Sequence, residues 1–165
     1  MPLGTNVKVS PPMGSFTLHK NAARPAVFLA GGIGVTPMRS MVASATANKL
    51  PHRLYLFYSN RAPEAAAFLT DFEAWQKENK NFTFIPVFTD TKSNNQHSNI
   101  LKNVGMSRFE HKRIDAEMIR KYVPDWENAF YLIAGPPAMV TGPLGTLTQA
   151  NFDTDNIKTE EFAGY

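Results

Sequence analysis

Three glycines follow an apolar run near the start of the chain and precede a segment with helical character. Ala26 to Leu29 is apolar throughout, and Gly31, Gly32 and Gly34 come soon after it. Glycine accepts positive φ and has no Cβ, so the peptide N–H groups of such a turn are open to a phosphate. The order of strand, glycine turn and helix therefore predicts a site for the phosphates of a nucleotide. The alternative is a tight strand-to-helix turn that binds nothing.

The residues after the glycines suit the start of a helix. Thr36 is predicted as the N-cap and Pro37 as the first helical residue, because these residue types are favoured at those positions. A helix that begins there aims its unpaired N–H groups and the positive end of its dipole at an anion. The turn is not the G-x-G-x-x-G fingerprint, because Pro37 replaces the third glycine, and no Gly-Lys-Ser/Thr of a P-loop follows.

Composition indicates one globular domain. The chain has 165 residues, of which 43% are apolar, so it can bury a sizeable core. Its net charge of +3 comes without an Arg/Lys block, which argues against nucleic-acid binding and leaves docking to an acidic protein open. No apolar run approaches 18 residues and no signal-peptide pattern opens the chain. We therefore expect a soluble, cytoplasmic protein without a transmembrane segment.

Metal and nucleophile chemistry has little support in the sequence. The chain contains no cysteine, which excludes disulfides, thiolate ligands and a cysteine nucleophile. No G-x-S-x-G elbow is present for Ser-His-Asp chemistry. The four histidines lack metal-ligand spacing, so no metal site is expected; they are His19, His52, His97 and His111.

Short apolar runs alternate with helical patterns from residue 26 onward, which is typical of a parallel sheet covered by helices on both faces. The first predicted strand begins at Ala26. The other predicted strands are 53–58, 82–88, 130–134 and 156–162. The predicted fold class is α/β, with a five-stranded, doubly wound, Rossmann-like parallel sheet.

Four helices are predicted between these strands. The first two have apolar stripes with helical spacing, which we interpret as core. These stripes are Met38, Met41, Val42 and Ala45, and then Ala65, Phe68, Leu69, Phe72 and Trp75. The third helix is predicted over 116–122 and the fourth from near Pro136. Pro143 is expected to kink or shorten the fourth helix.

Two segments do not fit the alternation. Residues 1–20 contain strand-like Val7 to Val9 and a Pro-Pro-Met-Gly sequence ahead of the first strand of the sheet. Residues 91–113 are polar and basic, and are longer than the usual connections of this fold class. This second segment is either a solvated loop or a binding loop.

Four motifs in this order resemble the NAD(P)H-binding domain of ferredoxin-NADP reductase-like flavoenzymes, over about residues 24–165. The first motif, 24–38, is similar to the family's G-G-x-G-x-T-P loop. The second, 58–64, is Tyr-Ser-Asn-Arg-Ala-Pro-Glu, and the third, 131–140, resembles C/A-G-P-P-x-M. The fourth, 158–162, is similar to the family's final E-x-aromatic. The resemblance implies hydride transfer from NAD(P)H to FAD.

The same resemblance interprets residues 1–20 as the last strand of an FAD-binding barrel domain, or a linker, because 12–18 is similar to G-P-x-G-x-F-x-L. The nucleotide domain then covers 21–165. The flavin-binding R-x-Y-S motif has no counterpart here. The FAD is therefore expected in a domain supplied in cis or in trans, and an electron-acceptor protein is a further expected partner.

The resemblance also implies the site residues. The catalytic candidates are Thr36, near the nicotinamide, and Glu160 and Phe162, near the flavin; solvated and buried-strand roles stay open for the last two. The stacking role is not transferred to Tyr165, which lies three residues further on. Many relatives carry cysteine where this chain has Ala134. The expected cofactor-binding residues are Gly31, Gly32, Ile33, Gly34, Thr36, Pro37, Ser59, Asn60, Arg61, Gly135, Pro136, Pro137 and Met139.

The choice between NADH and NADPH depends on charge near the adenosine ribose. Ser59 and Arg61 suit a 2′-phosphate, and no acidic residue precedes Glu64 at that turn. The sequence therefore favours NADPH slightly, while Arg61 as a solvated turn residue is equally compatible.

Two other functions stay open: a non-catalytic nucleotide-binding module that regulates a partner, and a self-sufficient Rossmann-type dehydrogenase. The second lacks a His or Tyr-x-x-x-Lys base at a strand end.

Overall fold

A computed structural model describes residues 2–11, 13–90, 94–103, 105 and 108–162, with 94–98 described by their backbone alone. Pro12, Tyr165 and parts of the basic segment 91–113 lie outside these ranges. Five strands form one sheet in the order β3-β2-β1-β4-β5, and every pair is parallel. The strands are β1 (Ala26–Gly31), β2 (Leu54–Asn60), β3 (Phe82–Phe88), β4 (Phe130–Gly135) and β5 (Ile157–Glu161). The predicted α/β fold class is confirmed.

Within the described residues, five α-helices connect the strands. They are α1 (Val35–Ala47), α2 (Leu69–Glu78), α3 (Asn94–Asn103), α4 (Ala116–Tyr122) and α5 (Pro137–Gln149). One core cluster joins α1 and α2 to one face of the sheet, with Met38, Val42 and Phe72 buried in it. A second cluster joins α4 and α5 to the other face, with Ile119 and Leu147 buried. Because helices cover both faces, the central strands are apolar throughout rather than alternating.

The predicted stripe of the second helix is partly wrong. Residues Pro63–Ala65 form a separate 3₁₀ turn, and α2 begins only at Leu69. Phe68 precedes it in the left-handed region at φ 62° and is 38% exposed, while Ala65 is exposed. The Arg39 guanidinium lies 4.6 Å from the Phe68 ring centroid, so this aromatic side chain packs against a cation outside the core.

The basic segment 91–113 is not the continuous loop that the sequence predicted, because it contains α3. The segment is attached to the outer edge of β3 at Glu110. The Glu110 N–H donates to Pro86 O at 2.9 Å, and the Phe88 N–H donates to Glu110 O at 2.8 Å. Burial raises the pKa of the Glu110 carboxyl, but hydrogen bonds from Lys121 and Tyr122 outweigh it and hold the pKa below its usual range. These bonds fix where the chain returns toward the sheet.

Pro143 does not stop α5, which continues to Gln149. The threonines of this helix donate to carbonyls one turn earlier, at 2.9–3.1 Å, as in Thr146 to Gly142 O. The helix also contains Gly142 and Gly145, and a methyl group at either position meets nothing within 4 Å. Burial of Val140, Pro143 and Leu147 holds together a helix of low intrinsic propensity.

Replacing Gly145 with alanine is expected to stabilise the protein by about 0.5–1 kcal/mol, because alanine restricts the unfolded chain and the helix has room for the methyl group. Urea unfolding of Gly145→Ala and the parent chain measures the difference. An unchanged or lower midpoint would show that α5 does not tolerate the added group.

The chain before β1 packs against the amino edge of the sheet, at the end opposite the glycine turn. The His19 ring lies 4.5 Å from the Phe130 ring and 5.3 Å from the His52 ring, and its carbonyl is 2.9 Å from His52 Nε2. Arg24 stacks on the other side of this cluster, 3.7 Å from the Phe130 ring centroid. Burial lowers the pKa of His19, and the nearby His52 and Arg24 lower it further.

This cluster predicts a loss of stability in mild acid. A lowered pKa means that the fold favours neutral His19, so its contribution is complete above the ordinary histidine pKa of about 6.5 and is lost as pH falls below it. Urea unfolding at pH 7.5 and 5.5 measures the change. His19→Gln, which cannot take up a proton, is expected to reduce the difference between the two pH values. Equal differences for both proteins would contradict this.

Candidate functional site

A groove of about 760 Å³ runs along the carboxyl edge of the sheet. It begins at Gly31 and Gly32, where β1 ends, and passes between the end of β2 and the first turns of α5. The order 3-2-1-4-5 places the topological switch point between β1 and β4, which is where open α/β sheets bind ligands. Its volume lies in the roughly 300–1,000 Å³ range of small-molecule sites.

The glycine turn has one residue with positive φ rather than the three expected. Gly32 has φ 51°, begins the 3₁₀ turn Gly32–Gly34, and has open space where a Cβ would stand. Gly31 and Gly34 have negative φ and are buried. A methyl group on Gly34 would overlap the Ala134 carbonyl of β4. Gly32 therefore leaves its side of the turn open, whereas Gly34 allows the backbone of the turn to touch the backbone of β4.

The predicted start of α1 is two residues too late. The helix begins at Val35, with Gly34 as its N-cap and no side-chain cap. Thr36 and Pro37 therefore lie inside the first turn, where a proline is tolerated because its missing N–H would have no helical partner. The Thr36 side chain is exposed, and Ile33 at the tip of the turn is 41% exposed. The N–H groups of the helix start still lie at the glycine turn, as a phosphate site requires.

The end of β4 forms the other side of the switch point. Gly135 has φ 155°, and Pro136 is the N-cap of α5, with Pro137 exposed at its first position. Met139 extends from α5 over Gly31, occupying the space that a methyl group there would need. Pro136 and Met139 line the groove, and the Met139 side chain lies against Gly135. Gly31 at the end of β1 and Gly135 at the end of β4 thus allow the two strand backbones to approach closely at this point.

Ser59, Asn60 and Arg61, which the sequence assigned to cofactor binding, line the groove where β2 ends. The strand includes Ser59 and Asn60, so the turn begins later than expected. The Asn60 carbonyl accepts from the Thr89 N–H at 3.0 Å, and Arg61 O accepts from the Asp90 N–H at 2.9 Å. Asn60 is only 8% exposed, and its side chain lies against the Tyr58 hydroxyl.

Lys112, Arg113 and Asp115 also line the groove, and sequence reasoning did not assign them to the site. Asp115 caps α4 by accepting the Met118 N–H at 2.7 Å, and it pairs with Lys112 at 3.0 Å. Burial raises the pKa of the Asp115 carboxyl, but the Met118 N–H and Lys112 outweigh it and lower the pKa overall. The basic character of 91–113 was visible in the sequence, but its return to the groove depends on the Glu110 attachment.

The three predicted catalytic residues come from two different elements at the carboxyl end of the sheet. Thr36 is at the start of α1, while Glu160 is exposed on the edge strand β5, in register with Ala134. Phe162 follows β5, is half-buried against the α1 side of the core, and donates its N–H to Gly135 O at 3.0 Å. None of the three lines the groove. Phe162 is nevertheless held by its backbone directly beside the end of β4.

A family model described as an oxidoreductase NAD-binding domain matches residues 28–143. This chain belongs to that family. The matched region contains the glycine turn, the end of β2 and the first half of α5, which together form the groove. The predicted family is therefore confirmed. The open backbone at Gly32 is compatible with a dinucleotide in this groove.

The relatives are longer proteins. One component of the Na(+)-translocating NADH-quinone reductase of Methylococcus capsulatus is 26% identical over 162 residues, which are 98% of this chain and 38% of the relative. The corresponding component from Haemophilus ducreyi gives the same values. This chain thus spans well under half the length of these curated relatives.

Solved structures show the same fold. A flavohemoglobin from Malassezia yamatoensis, with bound FAD and heme, matches with a TM-score of 0.74 and 22% identity, over 97% of this chain and 39% of that chain. An Amycolatopsis cytochrome P450 reductase matches with a TM-score of 0.69 and 22% identity, over 92% of this chain and 42% of that chain. The predicted ferredoxin reductase-like nucleotide-domain fold is confirmed.

Among the described residues, no three His, Asp or Glu side chains are grouped as metal ligands. No helix in the described ranges combines the length and apolarity needed to cross a bilayer.

Two glycine substitutions are expected to separate folding from binding. Gly34→Ala places a methyl group against the β4 backbone and is expected to lower the free energy of unfolding by about 1–3 kcal/mol.

The methyl group of Gly32→Ala meets no atom, so we expect the free energy of unfolding to fall by only about 1 kcal/mol, from the positive φ at this position. We expect its dinucleotide affinity to be roughly tenfold lower. Urea unfolding and titration calorimetry measure both effects. An unchanged dinucleotide affinity in Gly32→Ala would mean that the phosphates of the dinucleotide do not bind at Gly32.

Proposed function

We propose that this chain is the nucleotide-binding part of an NAD(P)H-dependent flavin oxidoreductase. It positions reduced nicotinamide for hydride transfer to an FAD carried by another domain. The observation that carries this proposal is the contact between the Gly32–Gly34 turn and the end of β4, because it joins a phosphate site to an open ring site at one point of the sheet. Family membership favours this function over a non-catalytic nucleotide-binding module.

The chain's own groups hold the dinucleotide. The N–H groups of Gly32, Ile33 and Gly34 and the positive end of α1 bind the pyrophosphate. Gly135 and Pro136 leave space for the nicotinamide ring beside the end of β4. Thr36 donates a hydrogen bond near that ring. When bound, the reduced nicotinamide supplies the hydride, and FAD accepts it when the two rings stack at contact distance.

The flavin domain adjoins residues 1–20 and the end of β5. Phe16 and Leu18 pack against the α1 side of the core, as Phe162 does, and Lys158 Nζ donates to Ser15 O at 3.1 Å. These contacts bring the segment before the sheet to the strand that carries the proposed flavin-side residues. Further toward the start, the apolar side chains have no cover within the described residues; Leu3, Val7, Val9 and Met13 are each 59% or more exposed. We propose that residues 1–20 contribute the last strand of an FAD-binding barrel domain, or the linker to it.

Glu160 and Phe162 act on the flavin side of the reaction. The bond from the Phe162 N–H to Gly135 O holds the backbone that carries the aromatic ring next to the proposed nicotinamide position. An aromatic ring in that place excludes water and stacks against a flavin. The exposed carboxylate of Glu160 is available to the polar surroundings of the flavin.

NADPH is the proposed preferred cofactor. The end of β2 presents Ser59 and Arg61, whereas a site that binds NADH commonly has a carboxylate there for the ribose hydroxyls.

The reaction is assigned to the cytoplasm because the reduced dinucleotides are intracellular cofactors. A separate electron-acceptor protein is the proposed second partner.

The isolated chain is expected to bind dinucleotide but not to turn it over. Titration calorimetry with NADPH and NADH should give saturable binding. Diaphorase activity with ferricyanide should stay negligible until an FAD-loaded flavin domain from a relative is added, because no flavin-binding motif is present in this chain.

Gly32→Ala is the control for the reconstituted reaction, since it should reduce activity in proportion to its loss of binding. Strong turnover by the chain alone, without added flavin, would contradict the proposal. Absence of saturable binding by both dinucleotides would contradict it as well.

A further inference from the structure

β3 is one of the two edge strands of the sheet, and its sequence is the more prone to self-association. It reads Phe-Thr-Phe-Ile-Pro-Val-Phe, which is rich in aromatic and β-branched residues and has no charge. An uncharged segment of this kind pairs with copies of itself when its edge is open. The other edge strand, β5, is shorter and carries Lys158, Glu160 and Glu161, which oppose such pairing. β3 therefore needs protection of another kind.

Every second residue of β3 directs its backbone N–H and C=O groups away from β2, toward the outer edge of the sheet. The Glu110 backbone, which lies on that outer side, bonds to Pro86 O and to the Phe88 N–H. The outward groups of the strand therefore belong to residues 82, 84, 86 and 88. A strand added at this edge would have to pair with them.

Three of these four outer positions offer no open backbone donor to another strand. The Phe82 N–H donates to Asn79 O at 3.0 Å, within the turn that leads from α2 into β3. The Phe88 N–H donates to Glu110 O at 2.8 Å. Pro86 has no N–H, and a proline is tolerated in a strand where its nitrogen faces outward. Only the donor of residue 84 is left to consider.

This last outer donor is covered by a side chain instead of by backbone. The Phe84 N–H donates to Gln76 Oε1 at 2.6 Å. Gln76 is half-buried on α2, and the same helix packs its Phe72 ring 5.0 Å from the Phe84 ring. The helix therefore holds the glutamine amide against the edge of the strand. A side chain can leave this position without any change in the strand itself, so this bond is the exchangeable part of the edge.

The space next to this part of β3 is large enough for another chain segment. A cavity of about 410 Å³ is lined by residues 82–86, with Glu73 and Gln76 on the α2 side and Tyr122 at the end of α4. Glu110 pairs only with the second half of the strand, and no described strand pairs with the first half. The first half of the edge is therefore closed by satisfied hydrogen bonds rather than by a covering strand.

We propose that Gln76 and Pro86 protect the edge of β3 against strand pairing with a second copy of this chain. A neighbouring strand needs donors and acceptors in alternation, and these two residues remove the donors at positions 84 and 86. A second copy is the partner that they exclude, because the uncharged β3 sequence can pair with itself about a two-fold axis. The nucleotide groove is not involved, since it shares no described lining residue with this cavity.

Amide hydrogen exchange of the full chain, followed by NMR, tests the hydrogen bond. Gln76→Ala should speed exchange of the Phe84 amide roughly tenfold relative to the Ile85 amide, which faces β2. Gln76→Glu keeps an acceptor at this position, so the Phe84 amide should stay protected. Gln149→Ala is the matched control, because it removes an exposed glutamine side chain at the end of α5.

Analytical ultracentrifugation over a range of protein concentrations measures association. We expect Pro86→Ala, which opens one donor, to associate more than the parent chain. Gln76→Ala combined with Pro86→Ala opens two neighbouring donors and should associate more strongly still. Gln76→Glu and Gln149→Ala should behave like the parent chain. Circular dichroism and thermal unfolding identify any variant that has lost the fold, and the single variants then decide the test.

The outcomes are distinguishable at the level of single amides. In the supporting outcome, the amides of residues 84 and 86 in the double variant regain protection as the protein concentration rises, because a second copy pairs at this edge. Unchanged exchange of the Phe84 amide in folded Gln76→Ala would overturn the proposal. Association of the folded variants no stronger than that of the parent chain, or equal association of Gln149→Ala, would overturn it too.

Discussion

The rest of the structure depends on one close contact, between the Gly34 backbone and the Ala134 carbonyl at the end of β4. No side chain fits between them, so the turn after β1 can lie directly against its neighbouring strand. This contact brings the start of α1 and the start of α5 to the same edge of the sheet, where both helices direct unpaired N–H groups outward. The groove is a consequence of that convergence.

Charge is distributed unevenly along the groove. Among the described lining residues, the glycine end provides peptide groups and no ionised side chain. The far end provides cations from two segments far apart in sequence, Arg61 and Lys112–Arg113. Asp115 ties Lys112 to the fold, because it caps α4 and pairs with Lys112 at the same time. A capping interaction that stabilises a short helix thereby also compensates one of the positive charges in the groove.

Sequence reasoning performed well where local pattern and tertiary environment agree. The core of α1 and the bounds of β3 and α4 followed from periodicity, because apolar residues at those positions can only face the sheet. It was less accurate at element ends. Favourable residue types predicted a helix start at Thr36, but the 3₁₀ turn of Gly32–Gly34 continued directly into the helix. The stripe through Ala65 and Phe68 was interrupted because Phe68 adopts a left-handed conformation and stacks beneath Arg39.

The sequence by itself determined the parallel sheet, the glycine turn and the family, since each is carried by residues that are close together along the chain. Only the tertiary structure decided which glycine faces open space and which meets a neighbouring strand. It also decided that the basic segment contributes to the groove. Those outcomes depend on contacts between distant residues, such as Glu110 with Pro86 and Phe88, and local residue preferences contain no information about them.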